Sequence, residues 1–557
     1  VTEPDHHLTF APDTSTHEYA TFGGMIGNNS CGIHSVMAGR TSDNVREMEV
    51  LTYDGLRMRV GPTSEEELAA IVAAGGRRGE IYRGMRDLRD RYGDLVRERY
   101  PRIPRRVSGY NLDELLPENG FNVARALVGS EGTLATTLEA TVRLVHSPPA
   151  RALLVLGYPE IFQAADHVME VLEFGPVGLE GIDRRLLDDM IVEGMHSPSF
   201  PSLPDGQGWL LCEFGGGSQG EADDRARECM ARLQKDPTAP EMNLIDDPAQ
   251  RGRVWQVRES GLGATSYVPG EVDHWPGWED AAVQPARLGQ YLRRFRSLLQ
   301  DHGYRAALYG HFGDGCIHCR INFDLRSPGG LREWRRFLDE AADLTLEFGG
   351  SLSGEHGDGQ QRAELLPKMY GEELVGAFRE LKEIWDPENR MNPHKVVDPY
   401  PIVSNMKLGA GYHPREPETH FSYPEDGGSF AHAALRCVGA GKCRFDGGTM
   451  CPSYMVTREE EHTTRGRSRM LYEMLQGDTI TDGFRSDEVH EALDLCLSCK
   501  GCKGDCPVNV DMATYKAEFL SKYFKRRLRP PEAYSMGLIM LHARAGQHVP
   551  RLANLAT

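Results

Sequence analysis

Apolar and charged positions alternate along 46–60, REMEVLTYDGLRMRV, on both sides of Asp54 and Gly55. A period of two broken by Asp-Gly predicts a β-hairpin. The rest of the stretch up to 145 is rich in glycine and in short β-branched runs such as LEATVRLVHS. Residues 151–400 change character. Apolar runs of strand length, ALLVLGYPE and GWLLCEFGG, take turns with helix-period stretches, ADHVMEVLEF and PARLGQYLRRFRSLLQDHG. Strand and helix in turn, with an antiparallel sheet expected, predict an α+β fold. Residues 401–430 carry proline and glycine without periodicity and read as a linker. A mainly helical, cysteine-bearing segment follows. The expected divisions are therefore 1–150, 151–400, the linker 401–430, 431–520 and a final stretch 521–557.

A length of 557 residues calls for several domains. The formal net charge of −19 argues against a nucleic-acid partner, because phosphate binding wants a basic face. No run approaches the ~18–20 apolar residues of a membrane span, so no transmembrane segment is expected. No charged-then-apolar signal segment opens the chain either. The expected location is the cytoplasm, or the inner face of the membrane as a peripheral protein. The first residue is Val1, and the opening reads as the middle of a domain, so a fragment is expected.

Of the twelve cysteines, Cys31, Cys212, Cys229, Cys316 and Cys319 are scattered, while seven fall between Cys437 and Cys506. Clustered thiols in a large acidic chain read as metal ligands rather than disulfides. CLSCKGCKGDCPVN, from Cys496, has the spacing C-x2-C-x2-C-x3-C-P of a [4Fe–4S] run. Zinc also accepts four thiolates, but seldom in this run ending in proline. The partner stretch is CVGAGKCRFDGGTMCPSY. In two-cluster ferredoxins the fourth cysteine of each run ligates the other cluster. That rule joins Cys451 to Cys496, Cys499 and Cys502. It leaves Cys437, Cys443 and Cys506 one ligand short, with Ala440 where a middle cysteine is expected. One cluster is complete on this count and a second is not.

GHFGDGCIH, Gly310–His318, holds two histidines around a glycine-rich turn. Gly313 and Gly315 permit the sharp return that brings His311 and His318 together. SGEHG adds Glu355 and His356. Two imidazoles and a carboxylate suit a divalent cation with open positions, Zn²⁺ or Mn²⁺. Cys316 and Cys319 flank His318, but their residue type suits a core strand.

Two glycine-rich stretches, FGGMIGNNSCGIHSVMAGRTSDNV from Phe22 and VGSEGTLATTLEATVRL from Val128, let backbone approach a ligand closely. Together with RRVSGYNLDELL, HFGDGCIH, GGSLSGEHGDG and DPENRMNPHKVV, they resemble in order the vanillyl-alcohol-oxidase superfamily of flavoproteins, in its D-2-hydroxyacid dehydrogenase branch. The resemblance covers nearly all of 1–400, and with the cysteine segment it is similar to bacterial FAD/iron–sulfur fusion enzymes. It implies a partial FAD-binding domain, an antiparallel-sheet substrate cap and a ferredoxin-like iron–sulfur domain. Such enzymes carry an earlier subdomain with a loop for the FAD pyrophosphate, which is not found here.

The resemblance also implies roles. Gly23, Gly24, Asn28, Asn29, Ser30, Gly32, Gly129, Gly132, Thr133 and Asn392 fall where FAD is bound. His311, His318 and Glu355 match the metal set, and His356 matches the base. Arg258, in VWQVRESGLGA, matches the substrate arginine, and Tyr110 a tyrosine near the pocket. Arg320 departs from the family, which often has Asn two positions after the second histidine; a substrate carboxylate or a surface acid is its partner. A lysine that some 2-hydroxyglutarate dehydrogenases use is not evident in GWEDAAVQP. His394 stands where glycine is usual. The expected function is FAD-dependent oxidation of a small D-2-hydroxyacid, D-2-hydroxyglutarate or D-lactate like, with electrons leaving through the cluster. The acceptor is a quinone, a cytochrome or an electron-transfer protein. The alternatives are a glycolate dehydrogenase and a non-catalytic iron–sulfur electron-transfer subunit.

Overall fold

The computed structural model describes residues 6–194, 200–445, 447–551 and 554. The chain forms two compact units, 1–412 and 413–557.

The hairpin read from the alternation is present. β1 (Val45–Leu51) pairs antiparallel with β2 (Arg57–Val60), and β3 (Thr136–Val142) adds on the other side of β1. Gly55 takes φ +91° in the turn, which an L side chain rarely adopts. Beside this sheet runs a helix that the hydrophobic pattern did not announce, Gly76–Arg99. Most of its positions are charged, yet Ile81, Tyr82, Met85, Leu88 and Val96 are buried. They make a stripe of helical period, and the helix packs against Leu366–Trp385.

The second sheet has six strands: β4 (Ala150–Tyr158), β5 (Gly178–Asp183), β6 (Gly208–Gly216), β7 (Glu241–Ile245), β8 (Ala306–Gly310) and β9 (His318–Ile321). Their spatial order is β9-β8-β5-β6-β4-β7, and every pairing is antiparallel, as expected. All nine residues of β6 are buried, which is why its sequence runs apolar instead of alternating. On one face Leu153, Val155, Ile182, Trp209, Leu211 and Tyr309 pack with Leu186, Met190, Val254 and Val257. The other face carries the helix Gln219–Leu233 and the pair Ile161–Asp166 and Leu288–Asp301. The stretch expected as one helix at 165–174 breaks at His167, so Ile161–Asp166 and Val168–Leu172 are separate.

One buried ion cluster ties the N-terminal strip to this sheet. Glu213 of β6 lies 3.0 Å from His34 Nε2 and 2.8 Å from Arg151. Burial pushes the Glu213 carboxyl up, but the His34 hydrogen bond and the Arg151 charge outweigh it and hold it at about 2. Its pKa is lower folded than unfolded, so the stabilisation is present above the ordinary 4.5 and is lost as pH falls toward 2. Glu213→Gln should cost about 3 kcal/mol near neutral pH. Thermal melts against pH check this: the Tm gap between the two proteins should close in acid.

The second unit is mainly helical, built from Phe430–Leu435, Thr464–Gln476, Asp487–Asp494 and Met512–Tyr523. Tyr423, Phe430, Phe484, Tyr515 and Phe519 form its aromatic core. The expected linker 401–430 is not a free segment. The division between the units falls after Tyr412, and beyond it the chain is pinned by backbone bonds. Arg415 N–H reaches Leu475 O, and the N–H groups of His420 and Phe421 reach the buried Glu518 carboxylate. Likewise the boundaries expected at 430/431 and 520/521 fall inside the helices Phe430–Leu435 and Met512–Tyr523. Missing periodicity marks irregular backbone, and irregular backbone can still be anchored by its own N–H groups.

Candidate active site and cluster site

His311 follows β8 and His318 opens β9, so the short turn between the two strands carries the site. Tyr309 lies opposite His318 in the ladder. The return needs glycine. A Cβ at Gly310 would meet Cys316 O at 2.6 Å, and one at Gly315, where φ is +73°, would meet Val283 O at 2.0 Å. Gly313 also sits in the turn, but without positive φ. The two imidazoles end 5.0 Å apart, edge to face. Glu355 arrives on the loop after Ser351, which Ala282 fixes by reciprocal backbone bonds. Its carboxylate lies 3.1 Å from His311 Nε2 and 3.3 Å from His318 Nε2. One ligand atom of each of the three lies within 4.8 Å of the others, so the set could hold a divalent cation.

Two further buried residues complete this arrangement, Glu180 outside the motifs and Arg105 at the head of RRVSGYNLDELL. Glu180, fully buried in β5, accepts from His311 Nδ1 at 2.7 Å and leaves Nε2 facing Glu355. A carboxylate behind a histidine orients the ring as a ligand. Arg105, also fully buried, donates to Glu355 at 2.8 Å and to Asp314 at 2.9 Å, and reaches Gly32 O and Ser35. Burial pushes the Glu355 carboxyl up, but His311 and His318 outweigh it and hold it well below the carboxylate range. Burial drives the His318 imidazole well below its ordinary pKa, toward the neutral form a metal ligand needs.

His356 joins the group. Its Nε2 lies 2.9 Å from Glu355, and its ring stacks on His318 at 5.5 Å. Glu279 and Asp280 stand 3.7 and 3.9 Å from its Nδ1. Arg258 is buried in the last turn of Pro248–Glu259 and donates through Nε to Glu180 at 2.8 Å. Arg320 is buried and donates to Glu279 at 2.8 Å. Of the two partners expected for it, an acid is therefore present, though not at the surface. Tyr110 does not join them. It is fully buried against Phe378, and its hydroxyl is bonded to Thr133 at 2.6 Å. Cys316 and Cys319 are core residues, as expected, and burial pushes both thiols up.

The glycine-rich stretches come together. Gly23, Gly24 and Asn28 lie in the helix Phe22–Asn28, and Asn29 caps it at φ +56°. Gly129 N–H reaches Ile26 O, and Glu131 N–H reaches Gly27 O, so the loop of Gly129, Gly132 and Thr133 is stitched to the first strip. Ser30 O accepts from Thr41, Gly32 O from Arg105, and Asn392 Nδ2 donates to Glu131 O at 2.7 Å. Among the described residues, a Cβ at Gly23, Gly27 or Gly132 would meet no neighbouring atom within 4 Å, and Asn29 Nδ2 is buried without a partner. Open backbone and an unmet donor fit a large polar cofactor such as FAD. His394 bonds the Asp398 carbonyl and packs on Tyr400.

In the second unit none of the seven clustered cysteines is in a disulfide. Cys437, Cys443 and Cys506 line one cavity, with Ala440 on its wall and Gly439 and Gly441 at φ +81° and +82°. Cys496 and Cys499 are both close enough to act on the Cys502 thiol. Cys451 departs from the spacing rule. Its sulfur accepts the N–H of Thr464 at 2.9 Å, and the Cys443 thiol is near enough to act on it. That N–H is an unmet donor at the start of the helix Thr464–Gln476, which draws the sulfur toward it. Among the described residues no helix is long and apolar enough to cross a membrane.

Comparison with known proteins agrees with both halves. Residues 147–396 match the C-terminal domain of FAD linked oxidases, 4–61 an FAD binding domain, and 433–510 a 4Fe-4S dicluster domain. The chain is 30% identical to a D-2-hydroxyglutarate dehydrogenase of Pseudomonas putida over 99% of this chain and 58% of that protein. With the Escherichia coli enzyme of that name the figures are 28%, 98% and 58%. A D-lactate dehydrogenase of Archaeoglobus fulgidus is 28% identical over 70% of this chain and 73% of its own. The chain thus spans little more than half the length of the 2-hydroxyglutarate dehydrogenases it matches. In one polypeptide the chain thus joins a segment that matches the C-terminal domain of FAD linked oxidases to one that matches a 4Fe-4S dicluster domain.

Proposed function

We propose that this protein oxidises a D-2-hydroxyacid, of the D-2-hydroxyglutarate or D-lactate kind, to the 2-oxoacid. Electrons then pass by way of the iron–sulfur domain to a quinone, a cytochrome or an electron-transfer protein, in the cytoplasm or at the inner face of the membrane. The observation that carries this is the convergence of His311, His318 and His356 on the one carboxylate of Glu355.

The chemistry asks for that convergence. A hydroxyl proton has a pKa near ~16, as for water, against ~6.5 for imidazole, so unaided abstraction is uphill by about 12 kcal/mol. When bound, FAD supplies the hydride acceptor, a divalent cation (Zn²⁺ or Mn²⁺) on His311, His318 and Glu355 the Lewis acidity, and the cluster a one-electron path. His356 takes the hydroxyl proton. Glu279 and Asp280 beside Nδ1 stabilise the imidazolium that results. Arg258 holds the carboxylate next to the reacting carbon; its Nε bond to Glu180 fixes the plane of the fork. A flavin-free electron-transfer subunit would have no use for this buried, charge-matched set.

Arg258→Lys keeps the charge but loses the planar fork, and should raise KM about 10-fold with a smaller change in kcat. Steady-state assays of the holoenzyme with a dye acceptor check this. The same assay tests the function itself. D-2-hydroxyglutarate, D-lactate and glycolate are offered in turn, before and after chelation. Dye reduction that is lost on chelation and restored by Zn²⁺ or Mn²⁺ is expected. No reduction with any of the acids by flavin-loaded protein would refute the assignment.

A further inference from the structure

Seven side chains run in contact from one guanidinium to another. Arg258 Nε meets Glu180 at 2.8 Å, Glu180 meets His311 Nδ1 at 2.7 Å, and His311 Nε2 meets Glu355 at 3.1 Å. Glu355 meets His356 Nε2 at 2.9 Å, His356 Nδ1 lies 3.7 Å from Glu279, and Glu279 accepts from Arg320 at 2.8 Å. The candidate metal ligands and base form the middle, and a cation stands at each end. Both ends return to Tyr309. The Arg258 guanidinium sits 5.0 Å over its ring, and Arg320 acts on the same phenol. Tyr309 packs on His318 at 5.7 Å. Arg320 follows His318 by two positions in β9, so both project from the same face of the sheet.

The two buried arginines of this site that could be structural differ in how they are satisfied. Arg105 spends Nε, NH1 and NH2 on Asp314, Glu355, Gly32 O and Ser35. Arg320 spends NH1 on Glu279, and its Nε is buried with no partner among the described residues. A buried guanidinium N–H left unmet is costly, and native proteins keep few of them. Its carboxylate partner is moreover shared with the base.

We propose that Arg320 binds the distal carboxylate of a dicarboxylic D-2-hydroxyacid, while Arg258 binds the carboxylate beside the hydroxyl carbon. This rests on the function proposed above and adds a specificity-determining residue to it. A monocarboxylic acid leaves the Arg320 donors unmet, and a site built to bond a substrate group discriminates against the analogue that lacks it. The dicarboxylic acid instead completes the guanidinium with charge-assisted hydrogen bonds.

The test compares D-2-hydroxyglutarate with D-2-hydroxyvalerate, which has the same carbon chain with a methyl group in place of the distal carboxylate. In the native holoenzyme, kcat/KM should favour the dicarboxylic acid by at least about 30-fold, mostly through KM. Arg320→Asn, which installs the residue common in the family, should collapse that ratio toward one, and Arg320→Lys should keep part of it. The native ratio needs no variant, so the proposal stays testable even if Arg320→Asn misfolds. Equal use of the two acids by the native enzyme overturns it, as does a ratio that Arg320→Asn leaves intact. Failure of both acids while D-lactate or glycolate is oxidised overturns it too, whereas failure of all four with flavin bound refutes instead the dehydrogenase function underneath.

Discussion

Glu355→Gln should lower kcat/KM for the preferred hydroxyacid on the order of 1,000-fold and remove the divalent metal proposed for His311, His318 and Glu355. The size follows from position. One carboxylate faces His311 at 3.1 Å, His318 at 3.3 Å, His356 at 2.9 Å and Arg105 at 2.8 Å. The amide keeps the shape and one acceptor but removes the negative charge. Two expected consequences separate catalysis from folding. Metal content by elemental analysis falls below one per chain, while flavin content and far-UV circular dichroism stay as in the native protein. A fully active Glu355→Gln protein with no metal in either form would remove the Lewis-acid part of the account.

Cys502→Ser carries the second large effect. It should cost about one cluster, roughly four irons and four sulfides per chain. Substrate should still bleach the flavin, but turnover to the external acceptor should fall on the order of 100-fold, because the exit path for electrons is cut. Iron and sulfide analysis with stopped-flow absorbance reads both. Cys451→Ser then asks which site Cys451 serves. The spacing rule joins it to Cys496, Cys499 and Cys502, whereas its bonds to Thr464 and its nearness to Cys443 place its sulfur with the other group. Loss of the same iron as in Cys502→Ser supports the spacing rule. Loss of a spectroscopically different cluster supports the contact.

Some of this was legible because short-range geometry determines it. A run of cysteines at fixed spacing closes on a cubane whatever surrounds it, and two histidines about a glycine turn meet because β8 and β9 are a hairpin. The β1–β2 pair announced itself through Asp54–Gly55 for the same reason. Partners that arrive from far along the chain were not legible. Arg105 reaches Glu355 across 250 positions and Glu180 reaches His311 across 131; Arg105 opens the RRVSGYNLDELL stretch, which names no partner for it, and Glu180 carries no motif. The nearest available signal for Glu180 was an acid within a strand whose neighbours are all buried. Tyr110 shows the opposite failure. Its motif placed it near the pocket, but the fold turned its hydroxyl into the core toward Thr133. The helix Gly76–Arg99 was hidden by its charges, since its buried stripe is narrow and interrupted by glycine. The division after Tyr412 falls within 401–430, the stretch whose lack of period reads as a linker, but lack of period says nothing of anchoring by backbone N–H groups.

The measurement closest to the central claim is a visible spectrum of the flavin-loaded protein, taken without oxygen before and after D-2-hydroxyglutarate is added. Loss of the flavin band followed by partial loss of the iron–sulfur absorbance is expected, which reads substrate oxidation and onward electron transfer in one experiment. A flavin band unchanged by D-2-hydroxyglutarate, D-lactate and glycolate alike would contradict it.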